Sequence, residues 1–411
     1  MSSISNNDPI DINFETMYKS MISAMKINQI HPSIKKDIKW LCRFGVIYGN
    51  AFLIFCLLMY SIIFYDLKNN DITQACANGI ICIVFGVLTF ENCVAFYYQK
   101  DIKEMIETMN HDFEEAKDFP KDEQVLVQLF AQKGKRVITL WVVIVSFGGS
   151  LFVLKPVVLM LYYTVFDEFK FVHVYDLTYP DAMEKVKNTL SFFLFINTLY
   201  VFYDIYVVFM YIAFTPLGPI FMLHACGQLE IAKKKVLMIF DDSKTDEEII
   251  AQLKDIGRLL REIYSKFKLN CILFYSFIDK IKRSFKVLYE LTLKTTAIVT
   301  PITFYQIFES FKVGEIKIEF LCFIVGGLTM SGVPCYYSDK LLESGEQLRL
   351  AIYTCGWENH WEKKSRTLIF LLLLRTTQPL TIRTMFRTLC LDALSDTLHQ
   401  AYAIFNLLNA T

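Results

Sequence analysis

The stretch from Phe44 to Tyr65, FGVIYGNAFLIFCLLMYSIIFY, runs for 22 residues without one charged side chain. Coiled as a helix at ~1.5 Å per residue, it covers the ~30 Å hydrocarbon core of a bilayer. Lipid offers backbone groups no water to bond, so an unbroken run of this length is expected to be helical. The same pattern recurs along the chain. Ile72 to Phe90 is uncharged, and Val137 to Phe166 is broken only by Lys155. Asn188 to Leu229 is interrupted only by Asp204, and Thr295 to Phe308 and Phe320 to Ser338 supply two more. Thr367 to Leu408 is long but is cut by Arg375, Pro379, Arg383 and Arg387. The expectation is an all-α membrane protein with seven transmembrane helices, the seventh broken.

Composition agrees. Of 411 residues 54% are hydrophobic, 15% aromatic and only 20% charged, whereas soluble chains run near ~45–50% apolar and ~25% charged. Such hydrophobicity excludes a disordered chain. With 42 basic against 42 acidic residues there is no basic field to attract nucleic acid. The 11 cysteines, among them Cys56, Cys82, Cys93, Cys226, Cys322 and Cys335, form no framework of disulfide or zinc spacing. No P-loop, Gly-x-Ser-x-Gly or His-Glu-x-x-His occurs, so no enzyme, cofactor or metal is expected.

Orientation follows from lysine and arginine, which accumulate on the cytoplasmic side. Residues 1–43 and the alternate loops 99–136, 215–284 and 338–367 hold 30 of them, against 6 in 66–74, 163–188 and 309–319. The N-terminus is therefore cytoplasmic and the C-terminus extracellular, the reverse of a metabotropic G-protein-coupled receptor. That family's Asp-Arg-Tyr and Asn-Pro-x-x-Tyr are also missing. The opening MSSISNNDPIDIN is polar and acidic, and predicts no signal peptide. A secondary transporter would need broken helices in both halves, and only one break is visible.

Between the crossings, two segments are patterned. Phe14, Met17, Met21 and Met25 recur at helical spacing. That fits a helix lying in the cytoplasmic interface or one packed against the bundle. Thr245-Asp246-Glu247-Glu248 reads as a capping box. It opens an apolar stripe of Ile249, Leu253, Ile256, Leu260, Ile263 and Phe267, which must be buried against a helix of this chain or against a neighbouring subunit.

The last crossing carries its own stripe: Asp392, Asp396, His399, Ala403, Asn406 and Ala410 share one helical face. Charge facing lipid costs ~2.5 kcal/mol or more, so this face is expected on a water-filled path or on another helix. Two acidic rungs would favour cations. Asp204 and Glu91 are intramembrane carboxylates, each either functional or held by an interhelical hydrogen bond. Lys155 is expected to snorkel.

The last ~75 residues resemble the C-terminal signature of insect odorant receptors. The matching pieces are Tyr336-Tyr337-Ser338-Asp339-Lys340-Leu341-Leu342-Glu343-Ser344-Gly345-Glu346, then Ala351 to Trp357, Leu374-Arg375, Gln378-Pro379-Leu380 and Ala401 to Leu408. His224-Ala225-Cys226-Gly227-Gln228-Leu229 and Tyr179-Pro180 resemble shorter marks of the family. Gustatory receptors, close relatives, carry a Gln-Phe after Thr-Tyr and five apolar residues in the seventh helix; none follows Ala401-Tyr402 here.

The resemblance implies an odour-tuned subunit, since the loop between helices four and five is too short for the co-receptor. Such subunits join a shared co-receptor in a heterotetramer, an odorant-gated, non-selective cation channel in the plasma membrane of olfactory sensory neurons. It further implies a cytoplasmic segment 1–43, six helices holding the odorant cavity in 44–338, a cytoplasmic anchor in 339–382 and a pore-lining helix in 383–411. Mapped by orientation, the volatile small molecule would meet Cys82, Phe147, Phe152, Phe192, Phe195, Ile196, Leu199, Tyr305 and Phe323. Permeating cations would pass Asp392, Asp396, His399, Ala403, Asn406 and Thr411, with the constriction at Leu407. Subunits would meet through Ile256, Leu260, Ile263, Phe267, Tyr353, Trp357, Arg375, Gln378 and Pro379.

Overall fold

The computed structural model describes residues 12–166, 169–240, 245–264, 267–269, 272–274, 276–312, 314, 318–360 and 362–410. Two short helices, α1 (Phe14–Met17) and α2 (Lys19–Ile27), precede the first crossing. Phe14, Met21 and Met25 are buried, and α2 packs along the helix at 190–214. The Phe14 ring stacks on Phe221 at 6.5 Å, and its backbone N–H donates to Asn110 Oδ1 at 2.8 Å. Of the two readings of this segment, packing against the bundle is the one observed.

The first crossing is α3 (Ile38–Ser61), extended by one π-turn over Ile62–Asp66. Asp37 caps its start, accepting from the Trp40 backbone N–H at 2.7 Å. The second is α4 (Ile72–Tyr97), which passes into the cytoplasmic helix α5 (Gln99–Glu115). The third is α6 (Lys121–Phe166), whose 46 residues reach ~69 Å. That is twice the bilayer core, so α6 projects into the cytoplasm. A short α7 (Asp181–Glu184) lies in the outer loop. The fourth crossing, α8 (Leu190–Phe214), breaks at Pro216 and resumes as α9 (Leu217–Leu237).

Next come α10 (Asp246–Tyr264), the fifth crossing α11 (Phe277–Lys312) and the sixth, α12 (Ile318–Tyr353). The cytoplasmic α13 (Lys363–Arg375) and the last crossing α14 (Leu391–Ala410) complete the chain. The seventh helix is thus broken as expected, but the crossing begins at Leu391 rather than near 383. Among the described residues, five segments are candidate spans by length and apolarity, and α11 and α14 are not among them. Both carry a polar face: buried threonines on α11, and Asp392 and Asp396 on α14.

The capping box of α10 is present: Thr245 N–H donates to Glu248 Oε2 at 2.9 Å and Glu248 N–H to Thr245 Oγ1 at 3.4 Å. Its apolar stripe is buried against α9, α11 and α13 of the same chain. The helix stops at Tyr264, and Phe267 opens a two-stranded antiparallel ribbon, Phe267–Leu269 with Ile272–Phe274. The helical periodicity read through Phe267 therefore overran the element by one step; the Phe267 side chain lies outside the described residues. Every described cysteine is free.

Candidate functional site

Helices α4, α6, α8, α11 and α12 enclose a cavity of about 160 Å³. An apolar cavity of ~150 Å³ is enough to take a benzene ring. Its wall is aromatic on one side, with Trp141, Phe152, Tyr203, Tyr211 and Phe323 joined by Tyr175 from the outer loop. Glycines shape it in two ways. A Cβ on Gly149 would sit 2.4 Å from Val208 Cγ2, so the approach of α6 to α8 requires the glycine. A Cβ on Gly326 or Gly327 would meet nothing within 4 Å, so these two leave room.

The polar groups of the wall are few. Asp204 is 7% exposed, and one of its carboxylate oxygens accepts a hydrogen bond from the Tyr175 hydroxyl. Its other oxygen, and the Tyr203 hydroxyl, are buried without a partner among the described residues. Thr292, Thr296 and Thr303 of α11 donate to the carbonyls of Leu288, Thr292 and Val299 at 2.7–2.9 Å. At the outer end Glu319 pairs with Lys155. Lys155, expected to snorkel, is thus held by a carboxylate of α12. The Trp141 indole N–H donates to the Tyr211 carbonyl at 2.8 Å. Glu91 does not reach the cavity: fully buried, it accepts from Thr215 Oγ1 at 3.4 Å.

Of the nine residues mapped by orientation, Phe152 and Phe323 line the cavity, edge to face at 5.5 Å. The others do not. Phe147 and Phe195 are more than half exposed on the outside of the bundle. Cys82 and Ile196 are buried in helix packing. Phe192 packs edge-on against Tyr179 at 5.6 Å, the Leu199 carbonyl accepts from Asn50 Nδ2 at 3.1 Å, and Tyr305 lies off the lining. Depth in the bilayer fixes the height of a residue but not its helix face, which turns by ~100° per residue. The threonines Thr292, Thr296, Thr300 and Thr303 were missed, although their spacing of three and four is itself a helical stripe.

On α14, Ala393, Thr397 and Ala401 are buried against the bundle, while Asp392, Asp396, His399, Ala403, Asn406 and Leu407 are exposed. The polar stripe thus faces away from the rest of the described chain. Asp339 of α12 holds the start of the helix, accepting from the Leu391 N–H at 2.8 Å. Arg387 donates to the Ala393 carbonyl and to Thr397 Oγ1 at 3.2 and 3.1 Å. Thr411 lies outside the described residues.

The residues expected to join subunits divide. Ile256, Leu260 and Ile263 are buried within this chain. Tyr353, Gln378 and Pro379 are exposed, and Trp357 and Arg375 are half-buried. Burial lowers the pKa of Arg375, with Arg261 adding repulsion. Around Tyr353, the exposed Leu350, Phe370 and Leu374 form a cytoplasmic apolar groove that the sequence reading missed. The His224 motif is structural: its Nε2 lies 2.7 Å from Asp112 Oδ2, to which Gln228 Nε2 also donates at 3.0 Å. His111, Asp112 and Glu115 could gather on a metal ion, with ligand atoms within 4.8 Å of one another, but Asp112 is already engaged by that motif.

A helical bundle of this topology, with a ring-sized cavity among its crossings, defines a multi-pass membrane protein. The family model described as 7tm Odorant receptor matches residues 71–402, and the chain belongs to that family. Its members are receptors, not enzymes. The fold is similar to that of the olfactory receptor OR5 of the insect Machilis hrabei, solved in complex with eugenol. The TM-score is 0.73 at 12% identity, over 96% of this chain and 98% of that one. A second structure of the same receptor gives a TM-score of 0.68 at 13% identity, over 96% of each chain. No curated protein matches the chain.

Proposed function

We propose that this odorant receptor is the odour-tuned subunit of an odorant-gated, non-selective cation channel. It assembles with a shared co-receptor in a heterotetramer in the plasma membrane of olfactory sensory neurons. A volatile small molecule occupies the cavity, held mainly by burial of apolar surface at ~25 cal/mol per Å². The eugenol complex of the Machilis receptor supports a ligand of that size.

The observation that carries the reading is the position of α11. Its threonines line the cavity, and on a neighbouring face Phe304 and Phe308 bear on Phe405 of α14 at 6.2 and 6.4 Å. One helix therefore touches both the ligand and the last crossing. A ligand that displaces α11 moves α14, and with it the constriction at Leu407. The exposed stripe of Asp392, Asp396, His399, Ala403 and Asn406 supplies a polar wall for cations once copies of α14 surround one axis. The apolar groove at Leu350, Tyr353, Phe370 and Leu374 supplies a surface for a neighbouring subunit.

Co-expression with a family co-receptor, followed by recording of odour-evoked current, tests the proposal. Current is expected for part of a broad volatile panel. Its absence throughout, with surface expression established, would count decisively against the reading.

A further inference from the structure

We propose that the cavity recognises its ligand through a hydroxyl group, and that the ligand class is a ring-sized or short branched alcohol or phenol. The inference rests on the reading of this cavity as the odorant site and adds the chemistry by which it selects. The hydrogens of Thr292, Thr296 and Thr303 are committed to backbone carbonyls, so these side chains turn only lone pairs to the cavity. Glu319 is held by Lys155. One oxygen of Asp204 is taken by Tyr175, and its second, buried, has no partner among the described residues. Thr295, Thr300 and Tyr211 add further hydroxyls to the lining, and the free oxygen of Asp204 is the group that a hydrogen of the ligand satisfies.

The complement is Tyr203, the residue before Asp204 on α8. Its hydroxyl is 1% exposed at the level of the residue and equally without a partner, leaving one uncommitted O–H. A ligand hydroxyl has one hydrogen for Asp204 and lone pairs for Tyr203. A hydrocarbon, ether, ester or ketone has no hydrogen to give, and an ammonium ion has no lone pair to offer. A site that hydrogen-bonds a substrate hydroxyl rejects the analogue without it, because its own buried polar groups are then stranded. The small volume excludes larger polar compounds, and the aromatic wall supplies the apolar contact for the remaining skeleton.

The test uses the full chain in lipid nanodiscs and ligand-induced thermal stabilisation, which reads binding without a channel. Three skeletons (benzyl, cyclohexylmethyl and 3-methylbutyl) are each offered as alcohol, aldehyde and methyl ether. For at least one skeleton the alcohol is expected to bind about tenfold or more tightly than its two analogues, ~1.4 kcal/mol. Asp204→Asn turns an N–H to the cavity in place of the free oxygen and is expected to reverse the order in favour of the aldehyde. Tyr203→Phe removes a donor from which alcohol, aldehyde and ether oxygens can all accept, and is expected to weaken the alcohol severalfold while leaving it ahead of its two analogues. Neither substitution alters partition into lipid, so their effects identify binding in the cavity. Equal affinities within each skeleton, or a preference for the aldehyde in the unsubstituted chain, overturn the hydroxyl assignment and leave the cavity a ligand site. No binding of any of the nine compounds likewise overturns the hydroxyl assignment, while the odorant-site reading stands or falls on the broad volatile panel.

Discussion

The hydroxyl of Tyr175, carried by the outer loop, donates a hydrogen bond to the carboxylate of Asp204 within α8. The contact joins residues 29 apart in sequence, closes one side of the cavity and satisfies one oxygen of a carboxylate that is 7% exposed. Tyr175→Phe removes the donor and little else. It leaves both carboxylate oxygens without a partner, a loss of ~1–3 kcal/mol. The expected outcome is a lower midpoint of thermal unfolding and faster proteolysis of the loop at 169–180, with the helix content by circular dichroism unchanged. A variant as stable as the parent would show that this bond does not hold the loop.

Gly326 leaves open space in the cavity wall, and filling it should limit the size of the ligand the cavity accepts. Its Cβ would meet nothing within 4 Å, so Gly326→Val enters the cavity without the ~1–3 kcal/mol of an overpacked core. The added side chain occupies volume in a cavity of only about 160 Å³. Ring-sized ligands are expected to lose tenfold or more in affinity, while three- and four-carbon volatiles are retained and thermal stability changes little. Equal losses for small and large ligands would mean that Gly326 acts through helix packing instead.

These residues separate what the sequence makes legible from what it does not. The uncharged run from Phe44 to Tyr65 becomes α3 because burial in lipid depends on composition alone. Thr245 and Glu248 announced the start of α10 because a capping box is local in sequence. The helix face toward the cavity is a tertiary property: Phe147 and Phe152 lie five residues apart on α6, yet one is exposed and the other lines the cavity. Tyr175 could not be found from pattern, since the loop that delivers it has no period. The polar stripe on α11 was legible as a stripe, but only packing tells whether it faces a ligand, a helix or water.

Transmission from cavity to pore should depend on the aromatic contact between α11 and α14. Phe405 meets Phe304 and Phe308 at 6.2 and 6.4 Å, and none of the three lines the cavity. Phe405→Ala is therefore expected to leave ligand affinity within about twofold and to lower evoked current at saturating ligand severalfold. Aromatic pairs contribute ~0.5–1.5 kcal/mol beyond burial, enough for a shift of that order in a gating equilibrium. Binding is read by thermal stabilisation and gating by whole-cell current. A parallel loss of both would place Phe405 in folding rather than in coupling.

His173 makes the outer loop sensitive to acid. Its Nδ1 accepts from Asn197 Nδ2 at 3.1 Å, and its ring packs on Phe193 with centroids 5.2 Å apart. Burial lowers the pKa of this imidazole below the ordinary 6.5, nearby Lys187 lowers it further, and Asp176 and Glu184 pull the other way. The unfolded loop therefore binds the proton more readily than the folded one. The stability this group contributes is present above pH 6.5 and is lost as pH falls from there through the lowered folded value. Protonation also ends the acceptance from Asn197, whose Oδ1 in turn accepts from the Val174 N–H at 3.0 Å, one residue before Tyr175. Moving from pH 7.5 to 5.5 is thus expected to loosen the loop, lower the unfolding midpoint and weaken ligand binding through the Tyr175 contact. His173→Gln, which does not titrate, is expected to flatten both profiles between these pH values. Parent and variant following the same pH dependence would place the acid-sensitive group elsewhere in the molecule.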